Sequence, residues 1–102
     1  MTFYHRTDAA EVILRDGFRD AEGSYMLTGV TLRGVFVSDK PLDSNEGAKG
    51  RQLLEVTLPE DCCDFSYHEL VEDDKPYREW CLPAKLINRY GAVRLVTEQD
   101  ED

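Results

Sequence analysis

Four of the five cysteine and histidine side chains, the types that bind soft metals or act as nucleophiles, lie in the second half of the chain: Cys62, Cys63, His68 and Cys81. The first two are adjacent and no Cys-x-x-Cys spacing occurs, so the pattern does not predict a zinc site. Cys81 stands between a tryptophan and a leucine, a setting typical of a small buried hydrophobe rather than a nucleophile. The acidic run at 69–74 lacks the glycine and alternating carboxylates of a calcium loop and indicates a solvated turn.

Other polar side chains lie inside β-prone runs, in three segments: YHRT at 4–7, GVFVS at 34–38 and REWCL at 78–82. Taken alone, His5 is most simply a partly buried histidine with a satisfied hydrogen bond. Glu79 is equally well explained as a strand residue paired with Arg78 or Lys75. These interpretations stand beside the functional ones given below.

The middle segment, residues 33–38, is a compact β run closed by a turn at 39–41. Strand alternation places Phe36 on the face opposite Val35 and Val37. Phe36 is most simply a core residue, but one of the two faces could line a cleft.

The first element is a short strand over 2–6, which ends at Thr7-Asp8, and either residue could cap the following helix. Residues 8–18 show helical spacing, and Gly17 stands where a left-handed residue would end the helix. The predicted apolar face of this helix consists of Ala9, Ala10, Val12 and Ile13.

The remaining chain is predicted to be mostly strands. A return strand begins at Phe18, irregular strand and loop follow over 19–32, and a helical turn is possible at 43–50. Strands are predicted at 51–58, 77–82 and 92–97, with a short helix at 83–91. This order predicts an α+β class with a mostly antiparallel, split sheet and one or two short helices.

Length and composition limit the function classes. A chain of 102 residues forms one domain, predicted over 1–97, followed by an acidic solvated tail at 98–102. The formal charge of -9 disfavours a nucleic-acid partner. Neither a signal peptide nor an apolar run of membrane-spanning length occurs, which predicts a cytoplasmic protein without a membrane partner. The odd, partly adjacent cysteines favour reduced thiols.

The order and spacing of the three segments resemble the motifs of the ADP-ribosyltransferase superfamily, in its branch with His, an aromatic or Ser, and Glu. The first motif matches His5, Arg6 and Thr7, followed by the helix over 10–18. The second matches Gly34, Val35, Phe36, Val37 and Ser38, and the third matches Glu79-Trp80-Cys81-Leu82. Arg6 stands where the family has a small residue, and no aromatic follows the middle strand in DSNEGAKG.

The resemblance implies a minimal single-domain enzyme that uses NAD as a substrate. It would cleave the bond between nicotinamide and ribose and transfer ADP-ribose to a protein, a small molecule or water. Such cleavage passes through an oxocarbenium-like centre that a carboxylate stabilises, and Glu79 would take this role. His5 would position the ribose as the second catalytic residue. The resemblance also implies a set of NAD-binding residues: His5, Arg6, Thr7, Gly34, Phe36 and Ser38.

Two other functions remain open. The chain could be a non-catalytic acidic binding module of the same fold, which would be favoured if Glu79 points away from His5. An RNA 2'-phosphotransferase-like activity is a minor alternative, and a cluster of positive charge around His5 would favour it. We expect His5, Phe36 and Glu79 to converge on one cleft, and this convergence is contradicted if His5 and Glu79 lie on opposite sides of the sheet.

Overall fold

The computed structural model describes residues 1–25, 30–41, 50–71 and 75–96. In this part of the chain the strands are β1 (Thr2–Thr7), β2 (Ala21–Tyr25), β3 (Val30–Ser38), β4 (Gln52–Thr57), β5 (Glu79–Leu82) and β6 (Ala92–Val96). The helices are α1 (Ala10–Asp16), α2 (Phe65–His68) and α3 (Ala84–Tyr90). None of the helices described is long and apolar enough to cross a membrane. The predicted α+β class is confirmed.

All strand pairs are antiparallel, and the sheet has the order β2-β3-β1-β4-β6, with β5 paired to β3 beside this path. The long strand β3 makes this branch possible. Its first half, Val30 to Gly34, pairs with β2, and its second half, Val35 to Ser38, pairs with β5. β1 meets β3 at the pair Tyr4 and Ser38. The mostly antiparallel sheet is therefore as predicted.

The two faces of the sheet differ in what covers them. On one face, here called the helical face, residues from all three helices join the core: Ala10 from α1, Phe65 from α2, and Ala84 and Ile87 from α3. The strand residues of this core include Phe3, Val56 and Trp80, which are almost fully buried. The Phe3 ring meets the Trp80 ring edge-on at 4.9 Å and the Phe65 ring at 5.4 Å. Aromatic packing of this kind dominates the energetics of a small core.

The opposite face, here called the polar face, carries charged pairs. Glu55 on β4 pairs in register with Arg94 on β6, and their side chains form an ion pair. Glu79 on β5 forms an ion pair with Lys75. Leu53 is also buried on this face, although the adjacent Leu54 faces the helical core.

Helix α1 is shorter than predicted and is capped differently. Its N-cap is Ala9, which makes no side-chain capping hydrogen bond, while Thr7 Oγ1 accepts a hydrogen bond from Ala9 N. Asp8 instead accepts from the backbone N–H of Arg51. Val12 was predicted on the apolar face, but it is 46% exposed, because this seven-residue helix turns only Ala10 and, in part, Ile13 toward the core.

The segment after α1 also differs from the prediction. Gly17 has the predicted positive φ, at 89°, but an extended ψ of 172° rather than a left-handed one. No strand begins at Phe18, because the side chain of Asn88 holds its backbone N–H and C=O. β2 begins at Ala21 instead, within the stretch predicted as irregular.

The other elements match the predicted ones to within one to three residues at their ends, apart from α2 and the first part of β3. α2 was not predicted; in it Asp64 accepts a hydrogen bond from Ser66 N at the helix start. The beginning of β3 falls in the stretch predicted as irregular strand and loop. The predicted helical turn at 43–50 lies, except for Gly50, outside the described residues, as does the acidic tail at 98–102.

Candidate functional site

Strand register separates the two residues predicted to be catalytic. On β1, His5 pairs with Leu54 and therefore shares the helical face with Phe3. Tyr4, its neighbour, pairs with Ser38, and Ser38 pairs with Glu79. His5 and Glu79 consequently lie on opposite faces of the sheet, against the prediction that they converge on one cleft.

His5 occupies a largely buried position below the middle strand. Its Nδ1 lies 2.7 Å from the carbonyl oxygen of Phe36, and since a carbonyl only accepts, Nδ1 carries the proton. The ring packs edge-on against Phe18 with centroids 5.3 Å apart. Burial lowers the pKa of His5 below its ordinary value, and the hydrogen bond to Phe36 opposes this only in part. His5 is therefore a neutral imidazole at physiological pH.

Glu79 lies at the beginning of β5 on the polar face. Its carboxylate is 2.7 Å from Lys75 Nζ, and the two side chains are 21% and 15% exposed. Of the two partners predicted for Glu79, the structure selects Lys75, because Arg78 pairs with Glu69. Glu79 thus has a partly accessible carboxylate that forms an ion pair with Lys75.

Three of the predicted NAD-binding residues share the polar face with Glu79, as strand alternation requires: Arg6, Phe36 and Ser38. The Phe36 ring lies over Gly23, where an added Cβ would be 2.9 Å from the ring. Ser38 is only 4% exposed, and its hydroxyl donates to the carbonyl of Lys40. Phe36 is therefore better placed than Ser38 to meet a ligand.

The other two predicted binding residues have structural roles. Thr7 lies on the helical face and its hydroxyl accepts from the chain at the start of α1. Gly34 lets β5 approach closely, because an added Cβ would lie 2.8 Å from Cys81 Sγ and 2.9 Å from the Leu82 carbonyl oxygen. Neither residue is placed beside the Glu79 carboxylate by the strand register.

The three cysteines carry free thiols. Burial and the neighbouring Cys62 raise the pKa of the Cys63 thiol to about 11. Burial, together with Asp20, also raises the pKa of Cys81. The thiolate is the nucleophilic form, so neither thiol is activated. Among the described residues, no group of three or more His, Cys, Asp or Glu side chains could hold a metal ion.

A second region, the basic groove, was not predicted. It is an open depression of about 680 Å³, with Phe18 and Ala84 among its lining residues, between the segment that precedes β2, strand β3 and helix α3. Four cationic side chains line it: Arg19, Arg33, Lys85 and Arg89. They supply a third of the 12 basic residues of this acidic chain. Phe18 connects the groove with His5, because it lines the groove and its ring contacts the His5 ring.

Hydrogen bonds connect the two walls of the basic groove, the segment before β2 and helix α3. Asn88 on α3 accepts from Phe18 N at 2.8 Å and donates to Phe18 O at 2.9 Å. Asp20 accepts from the backbone N–H of Ala84 at 2.8 Å. Together these bonds fix the segment before β2 against α3. The groove could not be predicted from local patterns, because the residues that line it are far apart in the chain. The one available signal was the recurrence of Lys and Arg in 83–91, a segment predicted only as a short helix.

No family model, curated protein or solved structure matches this chain significantly. The resemblance to ADP-ribosyltransferases therefore rests on the order of three short motifs in the sequence.

Proposed function

We propose that the protein binds NAD on the polar face of the sheet and cleaves its nicotinamide-ribose bond, with Glu79 as the catalytic carboxylate. The observation that carries the proposal is the register of three adjacent strands, which aligns Tyr4, Ser38 and Glu79 on one face. By alternation the same face includes Arg6 and Phe36. The motif order in the sequence and this shared face are independent of each other.

In the proposed reaction the bond between ribose C1' and the nicotinamide nitrogen breaks, and nicotinamide leaves with the bonding electron pair. The ribose then carries oxocarbenium character, which a nearby carboxylate stabilises. An acceptor hydroxyl or a water attacks C1' and loses its proton to Glu79. The Phe36 ring supplies an apolar surface for the flat nicotinamide, and Arg6 supplies a cation for the diphosphate.

His5 has a different role in this proposal from the one that the family pattern implies. A side chain on the helical face does not reach a ribose held beside Glu79 on the polar face. Its hydrogen bond to the Phe36 carbonyl instead fixes the backbone of the strand that carries Phe36. His5 is thus a positioning residue.

The test is nicotinamide release from NAD by the purified protein and by the Glu79→Gln variant. We expect release to fall by at least about 100-fold, since the variant loses the charge that stabilises the transition state. Glu55→Gln is the matched control, because Glu55 lies on the same face, is ion-paired with Arg94 and is 20% exposed, against 21% for Glu79. An equal loss in both variants would contradict a specific role for Glu79.

A non-catalytic binding module is the second candidate, and the separation of His5 from Glu79 favours it. A module that keeps only NAD binding would show a raised melting temperature without nicotinamide release, in the wild-type protein and both variants alike. If NAD neither reacts nor raises the melting temperature, the NAD proposal fails and an acidic binding module with a protein partner is favoured.

A further inference from the structure

Among the described residues, the basic groove concentrates positive charge of which only Arg33 is paired with a carboxylate. The side chains of Arg19, Lys85 and Arg89 form no ion pair with any residue in the described part of the chain. The fourth cation, Arg33, contacts Glu22 at 3.3 Å, but both side chains are about two-thirds exposed, so this pair is weak. Elsewhere Arg15, Lys75, Arg78 and Arg94 are all paired with carboxylates.

Two features of the groove suit a ligand rather than a solvated surface. The one carboxylate in its lining, Asp20, is held by the backbone N–H of Ala84, so it is fixed at the wall where it meets α3. Asn88 is likewise fixed by its two bonds to Phe18. The cations consequently project from a backbone that is already ordered, so a ligand would have to order only the cationic side chains and not the walls that carry them.

Size and charge together define the class of ligand. The depression is open, and its volume of about 680 Å³ gives room for a small molecule. Four cations outnumber the two nearby carboxylates, Asp20 in the lining and Glu22 beside Arg33, which suits an anion with more than one negative charge. Arginine also matches phosphate oxygens bidentately. A long polyanion is disfavoured, because beyond the groove it would meet a protein with a formal charge of -9.

We propose that the basic groove binds a small molecule that carries a diphosphate. The inference does not depend on NAD cleavage, because the groove and Glu79 lie on opposite faces of the sheet. Arg33 lines the groove and, two residues before Val35 on β3, shares the helical face with it.

The experiment is calorimetric titration of the full chain with inorganic pyrophosphate and with ADP at low ionic strength, using adenosine as the ligand without phosphate. We expect pyrophosphate and ADP to bind and adenosine not to bind. Arg19→Ala and Arg89→Ala should each weaken binding roughly tenfold, the effect of losing one charge-assisted hydrogen bond. Raising the salt concentration should weaken it further.

Arg15→Ala is the matched control, since Arg15 is an exposed arginine on α1 that does not line the groove. It should bind pyrophosphate like the wild type. Equal binding by all three variants, or no binding of pyrophosphate at millimolar concentration, would overturn the proposal. So would an oligonucleotide or an acidic peptide that binds through Arg19 and Arg89 more tightly than ADP. Because nicotinamide release is not measured, failure here is distinct from failure of the NAD proposal.

Discussion

The two faces of the central sheet treat polar side chains in opposite ways. The helical face buries His5 against Phe18 and lowers its pKa, whereas the polar face leaves Glu79 partly exposed in an ion pair with Lys75. The difference arises because successive side chains of a strand point to opposite faces of the sheet. His5 lies two residues after Phe3 and therefore faces the same core. A motif residue in a strand can therefore be assigned to a site only when the face of the sheet on which its side chain lies is known.

The largest difference in stability between the two faces is expected when the adjacent β1 residues Phe3 and Tyr4 are each replaced by alanine. Phe3 is fully buried between Phe65 and Trp80, so Phe3→Ala should lower the free energy of unfolding by about 3–5 kcal/mol. Tyr4 is only half-buried and faces the other side, so Tyr4→Ala should have less than half this effect. Urea denaturation of both variants measures the two values. Similar losses would mean that the polar face carries a second core of equal weight.

A smaller effect is expected from the pH dependence of His5. Its pKa is lowered in the folded state, so the unfolded chain binds the proton more readily as the pH falls through the ordinary value of 6.5. Stability should therefore be complete above this pH and should decline below it, until the pH reaches the lowered pKa of the folded protein. Denaturation midpoints between about pH 7.5 and 5.5 should show this decline.

His5→Gln is the variant for this test, because glutamine can still donate to the Phe36 carbonyl but does not titrate. His68 is present in both proteins and cancels in the comparison. An identical pH dependence in the two proteins would contradict the buried neutral imidazole.

The smallest effect is expected on the polar face. A double-mutant cycle with Glu55→Ala and Arg94→Ala should give a coupling of about 0.2–1 kcal/mol, since Arg94 is 54% exposed and the pair is screened by solvent. The coupling should decrease in 0.5 M salt. A coupling several times larger and insensitive to salt would show that this face is shielded from water.

The sequence was sufficient for elements defined by local pattern. The helix at α3, with Pro83 before it and Gly91 after it, and the strands β4 and β6 could be predicted because their signals lie within a few residues. β2 could not, since Gly23 and Ser24 disfavour a strand and it is held by pairing with β3. α2 is four residues long, too short to show a helical period.

The candidate sites were predictable only in part. The motif order proposed Glu79 and Phe36 as site residues, which stays a prediction, and their common face follows from a register that single-strand patterns do not reveal. The basic groove depends on contacts across 64 to 70 residues of chain, such as those of Asn88 with Phe18 and of Asp20 with Ala84. No local signal specifies such contacts.

The hydrogen bonds between Asn88 and Phe18 also determine when the basic groove can exist during synthesis. Phe18 leaves the ribosome long before Asn88, which lies 70 residues later in the chain. Until the last helix emerges, the backbone N–H of Phe18 lacks this partner and the groove has only one wall. A ligand that needs both walls therefore binds only after α3 has formed, and it does not stabilise a nascent chain that has not yet reached α3.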